Sequence, residues 1–439
     1  MKRVIFLLLS IVFLLCLLPI TDLLAATYAY VPSYGDDNAT RIDTDSETFD
    51  KVNISGGLYG AAVMPNGSYI LITRTTDDQL AKVSNSNFSG AGSVASIAVG
   101  ASPRGVAIDS VGSYAYVANF DDDNVTIVDL PSFAAVGTVG VGSGPWGVAA
   151  RYDEDLAANL VYVSNYTDDS ISVITDDGSS TSVETISSVG NGPVGVALTP
   201  DGAYLYVALY NNGLVGSLVV IRTSDNSVVQ TIGLQSGPWG AAVGSDGDYA
   251  FITNSESDSV SVIRTSDRVL LGSFVVGDQP MGVAAAKNGD FAYVVNQLGN
   301  SISRISVPDG TVTVVGSGEL DGAFALGAFI GGTPPSAPTG LSAQEASSSR
   351  ITLTWTDNAS NEAGFKIERR KHSDSTFSQI SKVAANTTTY EDSGLEGDTT
   401  YDYRIRAYTE AADSDYTATS SATTEAGSFS WCFIGTAQH

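Results

Sequence analysis

The sequence predicts an all-β protein, a seven-bladed β-propeller followed by a two-sheet β-sandwich, and three observations carry that expectation. A Gly-anchored unit of four short strand-like segments recurs at Gly60, Gly105, Gly147, Gly195, Gly240 and Gly282, spaced by 45, 42, 48, 45 and 42 residues, and a seventh start follows 45 residues later at Gly327. The 439-residue chain is 43% hydrophobic and only 16% charged, with 45 Gly and 20 Tyr, which is too apolar for disorder and rich in strand and turn formers. After Gly331-Gly332-Thr333-Pro334-Pro335 the pattern changes to a single unrepeated segment of alternating strands, residues 336 to 425. The length alone asks for more than one domain.

The first 26 residues read as an export signal. Lys2 and Arg3 precede the apolar run Val4 to Ile20, and Leu24-Ala25-Ala26 offers a cleavage site, so the mature chain is expected to start near Thr27. An uncleaved anchor is the other reading of this run, because Leu24 fits the small-residue rule loosely. Cleavage removes Cys16 and leaves Cys432 as the one thiol, which excludes an internal disulfide. Stability then rests on burial and strand pairing.

Each unit is built alike. One copy runs Pro103-Arg104-Gly105-Val106-Ala107-Ile108, Tyr114-Ala115-Tyr116-Val117-Ala118-Asn119, Asp121-Asp122-Asp123-Asn124, Val125-Thr126-Ile127-Val128, and then Ala135-Val136-Gly137-Thr138-Val139. Four strands per 42 to 48 residues is the period of a propeller blade, which buries its faces only against neighbouring blades. The first strand lies nearest the axis, where blades crowd, and Ala62, Ala107, Ala149, Ala197, Ala242 and Ala284 suit that narrow wedge. The mature chain opens with Tyr28-Ala29-Tyr30-Val31, Ala39-Thr40-Arg41-Ile42 and Phe49-Asp50-Lys51-Val52, strands two to four of a unit without its first. The array ends at Gly327 with a first strand alone. Head and tail together complete a seventh blade and close the ring.

The repeats, above all Ala115-Tyr116-Val117-Ala118-Asn119 and Tyr162-Val163-Ser164-Asn165, resemble the Tyr-Val-Thr-Asn (YVTN) family of bacterial and archaeal surface propellers over residues 27 to about 332. The pattern departs at Leu71-Ile72-Thr73-Arg74 and Ala208-Leu209-Tyr210, and the WD-type and kelch signatures are absent. The resemblance implies an exported propeller used in surface layers or binding, with lactonase and quinoprotein propellers as more distant likenesses. Fold alone does not choose among them.

Residues 336–425 resemble an immunoglobulin-like fibronectin type III domain. Trp355 would be its core tryptophan, and Tyr401 would close a tyrosine corner next to Leu395. Residues 426–439 hold Trp431-Cys432-Phe433-Ile434, which resembles the Cys-Phe-Ile box of some secreted bacterial proteins and would make Cys432 an anchoring or processing residue. Gly435 and Gln438-His439 depart from that box, and a frayed end with an incidental Cys is the other reading.

Charge and chemistry narrow the function. With 21 Lys+Arg against 48 Asp+Glu the net charge is −27, which disfavours nucleic acid and anionic membrane surfaces as partners. Neither of the two histidines lies between Thr27 and Lys371, so the propeller has no His base and no His ligand. No phosphate loop, nucleophile elbow or paired Cys motif occurs, and nothing calls for a cofactor. The favoured reading is a surface-associated binding or structural protein whose partner is a protein or glycan at the cell surface. An extracellular propeller enzyme such as a lactonase, working with carboxylates, Arg and Tyr, is the alternative.

Two residue sets are candidates for a site. Acidic pairs recur between the second and third strands, at Asp36-Asp37, Asp77-Asp78, Asp121 to Asp123, Asp168-Asp169 and Asp258. Turn chemistry explains them, with weak calcium binding at Asp121 and Asp123 as the other option. The residue before each anchor varies more tellingly: Tyr59, Arg104, Trp146, Val194, Trp239, Met281 and Leu326. These are expected around one mouth of the central channel, where Tyr59, Arg104, Trp146, Trp239 and Met281 offer the side chains of an interaction surface, or else cover blade junctions.

Overall fold

The computed structural model describes residues 27–426 apart from 45, 89, 91–93, 211–214, 287–290, 308, 316–319, 326, 328, 333–334, 360–361, 375–376 and 410–412. The expected export signal and Cys432 lie outside the described residues. Seven four-stranded antiparallel sheets precede the sandwich, and six of them run through their strands in chain order. Their first strands are Leu58–Val63, Pro103–Ile108, Pro145–Asp153, Pro193–Leu198, Pro238–Val243 and Pro280–Ala285, and successive first strands lie against one another around the axis. The close approach explains the anchors. A Cβ at Gly105 would collide with the carbonyl oxygen of Trp146 and one at Gly147 with that of Val194, so only glycine lets neighbouring blades meet there.

The seventh sheet is composite, in the order Ile330–Gly332, Thr27–Pro32, Asn38–Asp43, Phe49–Asn53. Ala29 pairs with Ile330 and Thr27 with Gly332, and two further bonds continue the seam, from Tyr30 N–H to the Phe329 carbonyl at 2.9 Å and from Phe324 N–H to that of Pro32 at 2.8 Å. One detail corrects the sequence reading. The regular closing strand begins three residues after Gly327, and Gly327 itself turns at φ 115°, so this first strand is broken where the six others run on past their anchors.

The repeated tetrapeptide divides its labour. Tyr116, Tyr162, Tyr206 and Tyr293 fill the space between sheets. The hydroxyl two residues later staples blades: Thr253 Oγ1 accepts the Gly240 amide at 2.7 Å and donates to the Met281 carbonyl of the next blade at 3.1 Å. Ser164 and Thr73 do the same with Gly147 and Val194, and with Gly60 and Arg104. The asparagine clamps the hairpin. Asn119 Nδ2 donates to Asn124 Oδ1 and Thr126 Oγ1 at 2.7 and 2.9 Å, and Asn254 and Asn296 reach Ser259 and Ser261, and Ser301 and Ser303. In the diverged copies Arg74 instead donates to Gln79 Oε1, also five residues on, while Leu209 is simply buried.

The sandwich has a three-stranded sheet, Thr339–Ser347, Arg350–Thr356 and Thr389–Ser393, facing a four-stranded one, Ser378–Ala384, Gly364–Lys371, Thr400–Tyr408 and Ser420–Thr423. Trp355 sits in the core edge-on to Phe365 at 5.5 Å, and the Tyr401 hydroxyl accepts the Glu396 amide at 3.1 Å, closing the corner beside buried Leu395.

Candidate functional site

Strand direction decides which side chains share a face. Pro103 at the start of its first strand pairs with Asn119 at the end of the second, so the residues before the anchors and the acidic hairpins occupy one end of the ring. There Tyr59, Trp146, Val194, Met281 and Phe324 form one buried apolar cluster, with Phe120, Tyr166, Tyr210 and Trp239 half-buried against it. Phe324 joins the expected members: Leu326 lies outside the described residues, and Phe324, ahead of the closing strand, meets Tyr59 with ring centroids 3.8 Å apart. Phe120, Tyr166 and Tyr210 were not anticipated. Their signal was available, since each directly follows the last residue of a second strand, Asn119, Asn165 and Leu209.

Trp146 is the hub. It meets Phe120, Tyr166 and Trp239 at 5.2 to 5.4 Å, and Tyr59 at 6.0 Å. Arg104, the one cation among the residues before the anchors, lies over Tyr59, Trp146 and Phe120 at 4.6, 5.0 and 5.3 Å, so the ring faces take the place of a counter-ion. Burial holds the Tyr59 hydroxyl protonated far above its ordinary range, with Arg104 opposing that shift. The Tyr210 hydroxyl donates to Glu256 Oε1 at 2.9 Å, which also raises its pKa. Trp146 Nε1, Trp239 Nε1 and Arg104 Nε are buried without an acceptor among the described residues. The mouth is therefore an aromatic plug with unspent donors.

The acidic hairpins ring this plug, and each has a structural task. Asp37, Asp78, Asp123, Asp169 and Asp258 take φ between 48° and 55°, and each carboxylate accepts an amide just before the next anchor, from Gly57, Ser102, Gly144, Gly192 and Gln279 at 2.8 to 3.2 Å. Asn300 repeats the device on Gly322. Asp121 is engaged by the Ser102 hydroxyl and Asp123 also by that of Ser143. Among the described residues no group of three or more His, Cys, Asp or Glu is placed to hold a metal. Thermal unfolding of the full chain is expected to shift by less than a few degrees between a calcium chelator and added calcium; a shift of about ten degrees or more would make these hairpins ion sites.

The opposite end differs. Arg151, Arg222, Arg264 and Arg268 lie there, and the first three pair with Asp153, Asp225 and Asp267. The sandwich also approaches this end, where a cleft of about 750 Å³ separates Pro65, Val111 and Tyr152 from Phe377, Arg404 and Tyr416. Asp109, at the end of a first strand here, is fully buried; burial raises its pKa, and its carboxylate accepts the Ser113 and Tyr114 amides at 2.8 and 3.1 Å. It is committed to its turn and poorly placed as a general base.

A family model for the fibronectin type III domain matches residues 336–423. No curated protein matches the chain. Among solved structures, a protein of unknown function from Desulfotomaculum acetoxidans is similar at 15% identity over 69% of this chain and 99% of its own, with a TM-score of 0.58. A protein from Bacteroides fragilis described as a candidate 6-phosphogluconolactonase is similar at 14% identity over 70% and 98%, TM-score 0.56. The hydrazine synthase of Kuenenia stuttgartiensis is similar at 19% identity over 58% and 78%, TM-score 0.51. Likeness at these identities is a likeness of fold. The chain thus joins a propeller of seven sheets to a fibronectin type III domain at residues 336–423.

Proposed function

We propose that this is an exported, surface-associated binding protein whose propeller engages a basic protein surface through the aromatic mouth, the sandwich acting as its spacer. The carrying observation is the juxtaposition of Trp239, Tyr210, Tyr166 and Phe120, half-exposed around Arg104, with a crown of exposed carboxylates that includes Asp77, Asp121, Asp168, Glu256 and Asp278. Aromatics at the centre and charge at the rim is the composition of a protein-binding patch. The crown attracts a cationic rim and repels polyanions. An acidic glycan fits it less well, and a lactonase is less favoured because the Tyr210 hydroxyl is bonded to Glu256 at this mouth and Asp109 at the other end is committed to its turn.

The test is binding of the full chain to isolated cell envelopes. Capture is expected to fall at least tenfold between about 50 and 500 mM salt, because the crown's field is screened, and to disappear after protease treatment of the envelopes. Capture that survives both treatments, or turnover of simple lactones by the purified chain, would replace this reading with a glycan binder or an enzyme.

A further inference from the structure

The end of the channel away from the aromatic mouth opens into a chamber of about 420 Å³. It narrows inward to a throat of about 20 Å³ beside Gly105, Gly147 and Gly195, the anchors whose preceding residues contribute Arg104, Trp146 and Val194 to the plug region. Among the described residues the chamber thus tapers toward the plug. Its wall follows from the repeat: the third residue past each anchor forms a collar, with Val63, Ile108, Leu198, Val243 and Ile330 half-exposed into it and Ala150 and Ala285 between them. Among the described residues no Lys or Arg lines the space, and the one ionisable side chain there, Asp109, is buried and held by backbone amides.

A second feature completes the chemistry. Every first strand is the terminal strand of its sheet, so one edge pairs with the second strand and the other turns its amides and carbonyls to the axis. Uncharged hydrogen-bonding groups thus run down an aliphatic wall. A chamber of about 150 Å³ with such walls suffices for benzene, and ligand sites start near 300 Å³. From the aliphatic collar and the uncharged strand edges of this chamber we infer that it is a binding site for an uncharged aliphatic amphiphile, a short alkyl chain carrying a hydroxyl or amide. The chain lies along the collar and the polar group bonds a strand edge. Anionic lipids fit less well, because the net charge of −27 repels them and no Lys or Arg among the described wall residues offsets the loss of their hydration.

The probes are 1-octanol and octanoate, titrated calorimetrically into the full chain at neutral pH. One saturable octanol site per chain is expected, with octanoate at least tenfold weaker. Ala150→Phe fills the collar and should abolish the octanol site; Leu198→Ser makes its wall polar and should weaken it at least threefold, so that the second variant decides the matter even where the first fails to fold. Trp239→Ala, at the other mouth, should leave octanol binding unchanged, which separates this site from the proposed protein-binding face. Absence of saturable binding, equal binding of octanoate, or loss of the site in the Trp239 variant alone would each overturn the assignment.

Discussion

A chain lacking Thr27 to Ser55 is expected to aggregate instead of folding to a smaller ring. These residues supply three of the four strands of the composite sheet and leave Ile330–Gly332 without a partner when removed. They also seal both neighbours. On one side Ala29, Val31 and Ile42 pack with Ala284, Tyr293, Val295 and Phe329; on the other Tyr30 and Ala39 pack with Leu58, Ile70 and Ile72. Each large side chain returned to water forfeits about 1.5 to 3 kcal/mol, and half a dozen such losses, about 9 to 18 kcal/mol, are as large as the roughly 5 to 15 kcal/mol by which domains are ordinarily stable. Two open sheet edges then invite pairing between chains. Size-exclusion chromatography and near-ultraviolet circular dichroism measure the outcome, and a monomeric product with a cooperative unfolding transition would show that the ring does not depend on its seam.

Some of this architecture was legible because the repeat writes the same geometry many times. Gly105 and Gly147 mark positions where a Cβ has no room, so the anchor spacing is a direct trace of blade contact. Trp355 and Tyr401 were legible for a related reason, since both belong to a motif contained within one domain. What the sequence hides is convergence across units. Phe120, Tyr166 and Tyr210 are marked by their place just beyond a second strand, but their meeting with Trp146 and Trp239 is not, because only the closed ring brings those strand ends together. Phe324 was hidden by irregularity: it lies three residues before Gly327, a place from which no other unit contributes to the cluster. The hydroxyl staple was invisible for the opposite reason, because Thr253 and Ser164 do by hydrogen bonding what Ala118, Ala208 and Val295 leave undone at equivalent places.

Splitting the two mouth tryptophans is expected to separate folding from binding. Trp146 is only 9% exposed and touches four other rings and Arg104, so Trp146→Ala should lower stability by about 3 to 5 kcal/mol, the usual loss for a large buried aromatic. It also takes from the Arg104 cation one of its three ring faces, leaving those of Tyr59 and Phe120. Trp239 is half-buried, edge-on to Trp146 and to Tyr210 at 5.4 and 5.1 Å, with the rest of its ring open at the mouth. Trp239→Ala should therefore cost less in folding, about 1 to 2 kcal/mol, while removing an interface aromatic worth roughly 2 kcal/mol or more to a partner, about a thirtyfold loss of affinity. Denaturant unfolding and envelope binding measured on both single variants decide it. A Trp239→Ala protein that folds and still binds envelopes at full strength would sink the mouth as the binding site, and would leave the cluster as the packing that closes one end of the channel.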